Sequence, residues 1–258
     1  MNKYISKLKL DTLYGLLILL LLWQLLHMGM KSSVIPNPYL SVMRFFELLP
    51  VTLLPHMLAS LVRIVGAIVI SIISGVALGL FIGVNDKADK LISPIVYVLY
   101  PVPKIAFLPV FMILFGLGDT SKILIVTAII VFQIVVTTRD GVREIPKGLF
   151  YSARSLGMNG LELYRHLIIP AVMPKIITSL RISIGTSIAV LFFSENYATR
   201  YGIGYFIMNC WTFVNYVDMF AGILALSLLG YLLFKLVDYM EAKFCRWVMI
   251  AKDGARSV

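Results

Sequence analysis

The chain has 258 residues, of which 60% are apolar and 14% are charged, and its mean hydropathy is +0.92. These values exclude an ordinary soluble domain, whose core uses far fewer apolar residues. The formal net charge of +10 is explained by basic residues beside anionic lipid headgroups, so no nucleic-acid surface is expected.

Six stretches of the sequence are apolar and long enough to cross a membrane. A hydrocarbon core of about 30 Å requires roughly 20 mostly apolar residues in each helical span. Each stretch is expected to be helical, because a strand or loop facing lipid would leave backbone groups unpaired. The third stretch contains four prolines, whose kinks can divide it into two shorter helices. The predicted spans are 13–30, 59–84, 91–115, 123–138, 176–194 and 219–237.

Basic residues predict the orientation of these spans. With the N-terminus inside, 17 of the 23 Lys and Arg residues fall on the cytoplasmic side, five fall outside, and Lys104 lies within a span. We therefore expect a multi-pass protein of the inner membrane with both termini in the cytoplasm. The first span also has features of a signal peptide, but no small-x-small cleavage site follows it, which favours a retained helix.

The chemistry of an enzyme is missing from the sequence. His27, His56 and His166 lie on separate segments, and no G-x-x-x-x-G-K-[ST] phosphate-binding loop occurs. Cys210 and Cys245 are predicted on opposite sides of the membrane, and neither has the spacing of a metal ligand. No catalytic or metal site is therefore expected, and if ATP drives this protein, another chain hydrolyses it.

The longest cytoplasmic connection, residues 139–175, predicts two short helices around a glycine turn. Pro146 begins a helical stretch in which Leu149, Ala153 and Leu156 form an apolar face. Gly157 ends that helix as a cap with positive φ. A second short helix at 160–167 returns the chain to the membrane. These two helices form a knob, residues 146–168, that is suited to the groove of a partner.

The knob resembles the cytoplasmic signature of ABC-importer permeases, which begins Glu-Ala-Ala and continues with a glycine, an apolar residue and a proline. Tyr151-Ser152 replaces the glutamate and the first alanine, and Arg154 and Leu156 complete the segment. The matching residues are Ala153 for the second alanine, Gly157 for the glycine, Ile168 for the apolar position and Pro170 for the proline.

The resemblance continues from Ser60 to Trp247 and is specific to the permeases that import taurine, alkanesulfonates, nitrate and some vitamin precursors. One departure is Ser179, where a glycine is usual. The segments that carry the similarity are Ser60-Leu61-x-Arg63, Pro101-x-Pro103-Lys104-Ile105-Ala106-Phe107-x-Pro109, Phe115-Gly116-x-Gly118, Arg154-Ser155-Leu156-Gly157, Leu180-Arg181, Glu195 and Gly202-x-Gly204-Tyr205.

This resemblance implies an all-α polytopic bundle of about six spans, like a type I ABC importer permease. It implies an N-terminal region at 1–55, a permease core at 56–240 with the coupling loop at 139–175, and a cytoplasmic tail at 241–258. The implied complex holds two permeases, expected as a homodimer, two ATPases that bind ATP and Mg²⁺, and an extracytoplasmic solute-binding protein. Ser152, Ala153, Arg154, Leu156, Gly157, Ile168 and Pro170 would contact or support the ATPase.

A translocation path is expected near Pro103, Lys104, Pro109, Glu195 and Tyr205, and each has a purely structural alternative. The prolines either kink a helix or create the broken helices that line a path. Glu195 is either an interfacial carboxylate paired with Arg200 or a residue at the mouth of the substrate cavity. Arg181 is expected to reach the cytoplasmic headgroups. The aromatic loop 196–216 forms either an interfacial belt or a docking surface for the binding protein.

Two other classes of protein remain open at this point. A secondary transporter driven by an ion gradient would need several acidic residues within its spans, which offer almost none. A membrane-embedded enzyme would need a cluster of His, Asp or Glu near an interface, which is also absent from the sequence.

The charge distribution makes the topology directly testable. A cysteine introduced at Asn159 should react with an impermeant maleimide only from the cytoplasmic side, and one introduced at Asn37 only from the outside. Labelling of both positions from the same face would contradict the six-span arrangement.

Overall fold

The computed structural model describes residues 2–30 and 32–247, with side chains from Tyr14 onward. Every regular element in this part of the chain is helical, so the predicted all-α class is confirmed. Lys252 and Arg256, which were counted among the cytoplasmic charges, lie outside the described residues. The helices are α1 (Asn2–Met30), α2 (Pro38–Leu48), α3 (Leu54–Val84), α4 (Asp86–Leu99), α5 (Leu108–Phe115), α6 (Asp119–Arg143), α7 (Lys147–Ser155), α8 (Leu161–Leu163), α9 (Ile169–Glu195), α10 (Ile203–Thr212) and α11 (Tyr216–Phe244).

Four helical segments are long and apolar enough to cross a membrane, and a bent pair gives a fifth. The segments are Pro38–Val84, Asp119–Arg143, Leu161–Glu195 and Tyr216–Phe244, and the pair is Asp86–Leu99 with Lys104–Phe115. The described part of the first predicted span, Tyr14–Met30, is a shorter apolar helix. Four or five spans are therefore supported, and the sixth stays a prediction.

The predicted division of the third span is confirmed. Its two halves meet at an angle of 78° across the break between Leu99 and Lys104. Pro101 and Pro103 lie in this break, where each removes a backbone N–H and disfavours helical geometry in the residue before it. The bend is therefore a direct consequence of the two prolines.

Helices α3 and α6 pack closely against each other, and glycines on α3 make this close approach of the two backbones possible. Gly75, Gly79 and Gly83 recur every four residues on α3 and therefore share one face. A Cβ added at Gly79 would lie 2.6 Å from the Cβ of Thr138 and 2.8 Å from the Val135 carbonyl oxygen. The two backbones thus approach at a distance that only glycine permits, as is typical of helices packed in membranes.

The remaining helices pack around this pair in two regions that position the functional residues. The main core joins α3, α6, α9, α10 and α11 through buried aliphatic side chains such as Ile64, Ile130 and Ile184. A separate cluster of buried apolar residues at the N-terminal end of α9 packs the knob against the bundle. On the periphery, Trp23 of α1 stacks on Phe220 of α11 with ring centroids 5.2 Å apart.

The close contact between α3 and α6 predicts the effect of adding one methyl group. Gly79→Ala should destabilise the protein by about 1–3 kcal/mol, because the new Cβ overlaps the backbone of α6. Gly185→Ala is the matched control, since nothing lies within 4 Å of its added Cβ. Heating each purified variant in detergent and measuring the monodisperse fraction should show a lower midpoint for Gly79→Ala alone; equal midpoints would contradict the packing described.

Candidate functional site

A polar stripe on α3 organises the end of the bundle that is predicted to be external. His56, Ser60 and Arg63 are spaced four and three residues apart, so they share one face of a helix that is otherwise strongly apolar. All three are buried. Buried polar groups require partners, and these three find theirs on α6, α9 and the turn before α10. We call Ser60, Arg63, Asp119 and Glu195 the external cluster.

Glu195, the last residue of α9, is the most buried carboxylate of the external cluster, with 1% of its surface exposed. Its oxygens accept hydrogen bonds from Arg63 Nη1 at 2.6 Å, from Ser60 Oγ at 2.8 and 3.0 Å, and from the Gly204 N–H at 2.8 Å. These charge-assisted bonds offset the cost of removing the carboxylate from water. The pairing with Arg200 suggested by the sequence is wrong, because the guanidinium that reaches Glu195 comes from α3.

Arg63 extends the cluster to a third helix. Its Nη2 and Nε lie 2.6 and 2.8 Å from Oδ1 of Asp119, the first residue of α6. The Asp119 side chain is 63% exposed, whereas that of Arg63 is 6% exposed. One guanidinium therefore connects a buried carboxylate at the end of α9 to an exposed carboxylate at the start of α6.

The turn between α9 and α10 is held on α3 through its backbone. His56 Nδ1 lies 3.0 Å from both the N–H and the carbonyl oxygen of Gly202, and the Ile203 N–H donates to Ser60 Oγ at 2.9 Å. Gly202 has φ of +155°, and a Cβ there would lie 2.4 Å from the Glu195 carboxyl carbon. Glycine is therefore required at this position. Tyr205 is half-buried and stacks on His56, with ring centroids 6.0 Å apart.

A cavity of about 600 Å³ lies beside the external cluster. Glu195 is not in its wall, because Arg63 lies between the carboxylate and the cavity. The residues that line it are Pro55, Ala59, Arg63, Leu117, Gly118, Asp119, Lys122, Ala198, Thr199, Arg200 and Tyr201.

The structure does not bring Lys104 into the external cluster. Its Nζ donates to the carbonyl oxygens of Leu99 and Tyr100 at 2.8 and 3.1 Å and lies 4.5 Å from the centre of the Phe132 ring. Lys104 therefore caps the C-terminal end of α4, where carbonyl groups lack helical partners. Pro103 is exposed beside it in the bend.

Pro109 lies in a different place from the external cluster. It lines a mainly apolar cavity of about 470 Å³ together with Ile105, Ala106, Leu108, Met112, Phe193 and Tyr197. The five residues predicted for a translocation path are thus divided among three locations, one with Pro103 and Lys104, one with Pro109, and one with Glu195 and Tyr205.

The knob has the predicted helix and glycine cap. Helix α7 runs from Lys147 to Ser155, and Gly157 has φ of +82°. The Met158 N–H donates to the Ala153 carbonyl at 3.1 Å, which closes the cap. The second helix begins as α8 and continues as a π-helical turn over Tyr164–Ile168 before α9.

The apolar face predicted for the knob is divided in the structure. Ala153 is 7% exposed and packs with Ile168, Val172 and their neighbours inside the protein, whereas Leu156 is 76% exposed. The prediction that Leu149, Ala153 and Leu156 form one apolar face is wrong, because Ala153 faces the protein's own helices whereas Leu156, beyond the end of α7, faces away from them. Ser152 and Arg154 are exposed, Ile168 is buried, and Pro170 is half-buried in the first turn of α9.

Arg181 also differs from its expected role. Its Nη2 donates to Asp238 at 2.8 Å and to Glu241 at 2.7 Å, so two carboxylates of α11 hold it in place of lipid headgroups. Asp238 and Glu241 lie in the C-terminal part of α11, so these ion pairs join α9 to α11.

Comparison with known proteins identifies the family. The model of the binding-protein-dependent transport system inner membrane component matches residues 75–246, about two thirds of the chain. The protein belongs to this family. It is therefore the permease component of a binding-protein-dependent ABC importer.

Individual relatives agree with this assignment. The taurine transport permease TauC of Escherichia coli is 29% identical over 196 residues, which cover 76% of this chain and 71% of TauC. The putative aliphatic sulfonates transport permease SsuC of Bacillus subtilis is 29% identical over 233 residues, covering 89% of this chain and 84% of SsuC. A chain of the inward-facing methionine ABC transporter MetNI superposes with a TM-score of 0.63 at 19% identity over 74% of this chain and 95% of that one, so it has the same fold.

Sequence reasoning missed three members of this site. Lys122 was counted only as an external charge, Arg63 was noted only as an external charge and in the Ser60-Leu61-x-Arg63 similarity, and Asp119 was given no role. The available signal was the spacing of His56, Ser60 and Arg63, which places three polar side chains on one face of an apolar span. Ionisable residues in such a place require a partner, and the partner could have been sought among the few external carboxylates.

Substitutions in the external cluster should change the stability of the protein and its transport activity independently of one another. Glu195→Gln should cost roughly 3–5 kcal/mol and lower transport, because Arg63 stays buried with one carboxylate fewer. The double variant Arg63→Met with Glu195→Leu removes both buried charges, and it should recover part of the lost thermal stability without restoring transport. Solute uptake per assembled complex in proteoliposomes provides the measurement. If either variant takes up solute at the rate of the unsubstituted protein, the cluster has only a structural role.

Proposed function

We propose that the knob transmits the ATPase cycle of a partner subunit to the external cluster of this permease. The support for the proposal is that one helix connects the two. Helix α9 begins immediately after the knob and ends at Glu195, so its 27 residues join both sites without interruption of the helix. Displacement of one end of such a helix acts on the other end.

The surface of the knob supports its role as a docking element. Four large apolar side chains point away from the protein, namely Leu149, Tyr151, Leu156 and Leu161. Exposed apolar groups clustered at this cytoplasmic position match what a partner groove would bury. Ala153 and Ile168 pack on the opposite side, against Val142 and Val172, so force on the knob reaches α6 and α9 through direct contacts.

The complete importer would hold two copies of this chain, two ATPases and an extracytoplasmic solute-binding protein. ATP and Mg²⁺ bind to the ATPases, whose closure carries both knobs inward. The helices behind the knobs then reorient, and the solute gains access first from the outside and then from the cytoplasm. Both termini lie in the cytoplasm in this arrangement, as the distribution of basic residues suggests.

The solute is a small molecule of the sulfonate, nitrate or vitamin-precursor class. The names of the relatives, which include taurine and aliphatic sulfonate permeases, support this range. Titration of the cognate binding protein with taurine, methanesulfonate, nitrate and a formylaminopyrimidine in a calorimeter identifies the class, since selectivity in such importers rests largely with that protein. Failure of all four to bind would contradict the proposed range.

Substitutions in the knob test the proposed coupling. Leu156→Asp adds a charge to a side chain that is 76% exposed in the permease, so mainly docking should suffer, by roughly 2 kcal/mol if the charge stays unpaired. Gly157→Val misfits the positive φ and should distort the knob. Ala153→Asp instead places a charge inside the permease and should also loosen the attachment of the knob.

The matched control is Gly148→Ala, because nothing lies within 4 Å of the added Cβ and the residue is in the first turn of α7. All variants should insert in the membrane, but only the control should keep ATPase binding and the stimulation of ATP hydrolysis by the loaded binding protein. Normal stimulation of both Leu156→Asp and Gly157→Val in proteoliposomes would contradict the coupling role.

A further inference from the structure

The cavity beside the external cluster carries an excess of positive charge. Arg63, Lys122 and Arg200 contribute cationic groups to its walls, whereas Asp119 contributes the one carboxylate. Even when Glu195 behind Arg63 is included, three positive charges face two negative ones. A cleft with walls of low dielectric concentrates such a field and attracts ligands of the opposite sign.

Two of the three cations have no carboxylate partner in the described part of the chain. Arg63 is occupied on both edges by Glu195 and Asp119. Lys122 is 1% exposed, and its Nζ donates only to the backbone carbonyls of Leu117 and Gly118 at 3.1 and 3.3 Å. Arg200 forms no side-chain hydrogen bond or ion pair with any residue from 14–30 or 32–247 and is exposed at the wall. The guanidinium of Arg200 is therefore available to a ligand, and the buried Lys122 adds uncompensated positive potential behind the wall.

The walls also have the shape and the donors of a small-molecule site. The segment from Ala198 to Tyr201 forms one wall, and it turns through Ala198, whose φ is +45°. The turn before α6, at Leu117 and Gly118, forms the opposite wall. Tyr201 adds a hydroxyl group that can donate to an anion, whereas the Thr199 hydroxyl already donates to the Tyr197 carbonyl at 2.9 Å. The volume of about 600 Å³ falls in the range of roughly 300–1,000 Å³ that is usual for ligand pockets.

We propose that this cavity binds a small sulfonate-class anion through Arg200, with Tyr201 as a hydroxyl donor and with the buried charge of Lys122 adding positive potential from the wall. The interpretation of the bound anion as transported solute rests on the proposed function, because only an importer would need a site between its binding protein and the membrane interior. Occupation of the cavity would place the anion beside the exposed edge of the Arg63–Asp119 pair. The ligand would thus contact the same guanidinium that holds the end of α9.

Charged thiol reagents measure the field in this cavity directly. Thr199→Cys in nanodiscs is reacted with sulfonatoethyl methanethiosulfonate, which is an anion, and with its trimethylammonium counterpart, which is a cation. Both faces are open to reagent there, so the result does not depend on the topology. The native thiols contribute little, because Cys210 and Cys245 are buried and burial raises the pKa of Cys210 to about 11. Phe213→Cys, an exposed site outside the cavity, is the reference.

The ratio of the anion rate to the cation rate at position 199 should exceed the reference ratio by on the order of tenfold. Arg200→Gln in the Thr199→Cys background should reduce this ratio several-fold. The matched control is Arg44→Gln, which removes a cation that pairs with Glu47 and Asp218 away from the cavity, and it should leave the ratio unchanged. Equal ratios at positions 199 and 213, or equal effects of the two Arg→Gln substitutions, would overturn the proposal.

Protection of the introduced thiol by an added ligand distinguishes an anion site from a general polar pocket. Methanesulfonate should slow the reaction of Thr199→Cys with an uncharged methanethiosulfonate, whereas dimethyl sulfone, its neutral isostere, should not. Equal protection by both compounds would overturn the anion assignment. None of these measurements needs an ATPase or a binding protein, so loss of coupling in the knob variants and loss of charge selection here would be separate results.

Discussion

An ion pair buried in the apolar interior constrains the whole end of this permease that is predicted to be external. Neither Arg63 nor Glu195 could lie there alone, because an unpaired charge in such surroundings costs several kcal/mol. The pair in turn requires further donors and acceptors for its remaining atoms. Ser60, Asp119 and the Gly204 N–H provide them. The end of α9, the start of α6 and the turn before α10 must therefore all meet at one face of α3.

This requirement also accounts for the glycines of the turn. Gly202 lies against the Glu195 carboxylate, and Gly204 donates its N–H to the same group. A side chain at Gly202 would occupy the space of the carboxylate itself. The Gly-x-Gly-Tyr segment was recognised in the sequence only as a family resemblance. Its two glycines are explained physically by the buried Glu195 carboxylate, which one of them accommodates and the other hydrogen-bonds.

The features predicted correctly from the sequence depend on residues that are close along the chain. Apolar stretches of sufficient length predicted helices, two prolines predicted the bend in the third span, and the position of Gly157 after an apolar repeat predicted its positive φ. The ion pair could not be found in this way, because Arg63 and Glu195 are 132 residues apart and only the fold joins them. The one partner that the sequence analysis named for Glu195, as one of two alternatives, was Arg200, which is five residues away in the sequence. Ala153 was misplaced for a related reason, since helical spacing does not reveal which side of a short helix faces its own protein.

The glycine contact between α3 and α6 has a consequence for how this permease can move. Where Gly75, Gly79 and Gly83 face Ile134, Thr138 and Val142, hardly any side-chain volume separates the two backbones. Rotamer changes cannot accommodate sliding or tilting at such an interface, because the atoms that would collide belong to the main chain or to β-branched residues. Contacts of the same kind join α6 to α9 at Gly141 and Val172, and α9 to α10 at Phe192 and Gly204. A transport cycle therefore has to move these helices together or separate them, because sliding one along another would bring main-chain atoms into collision.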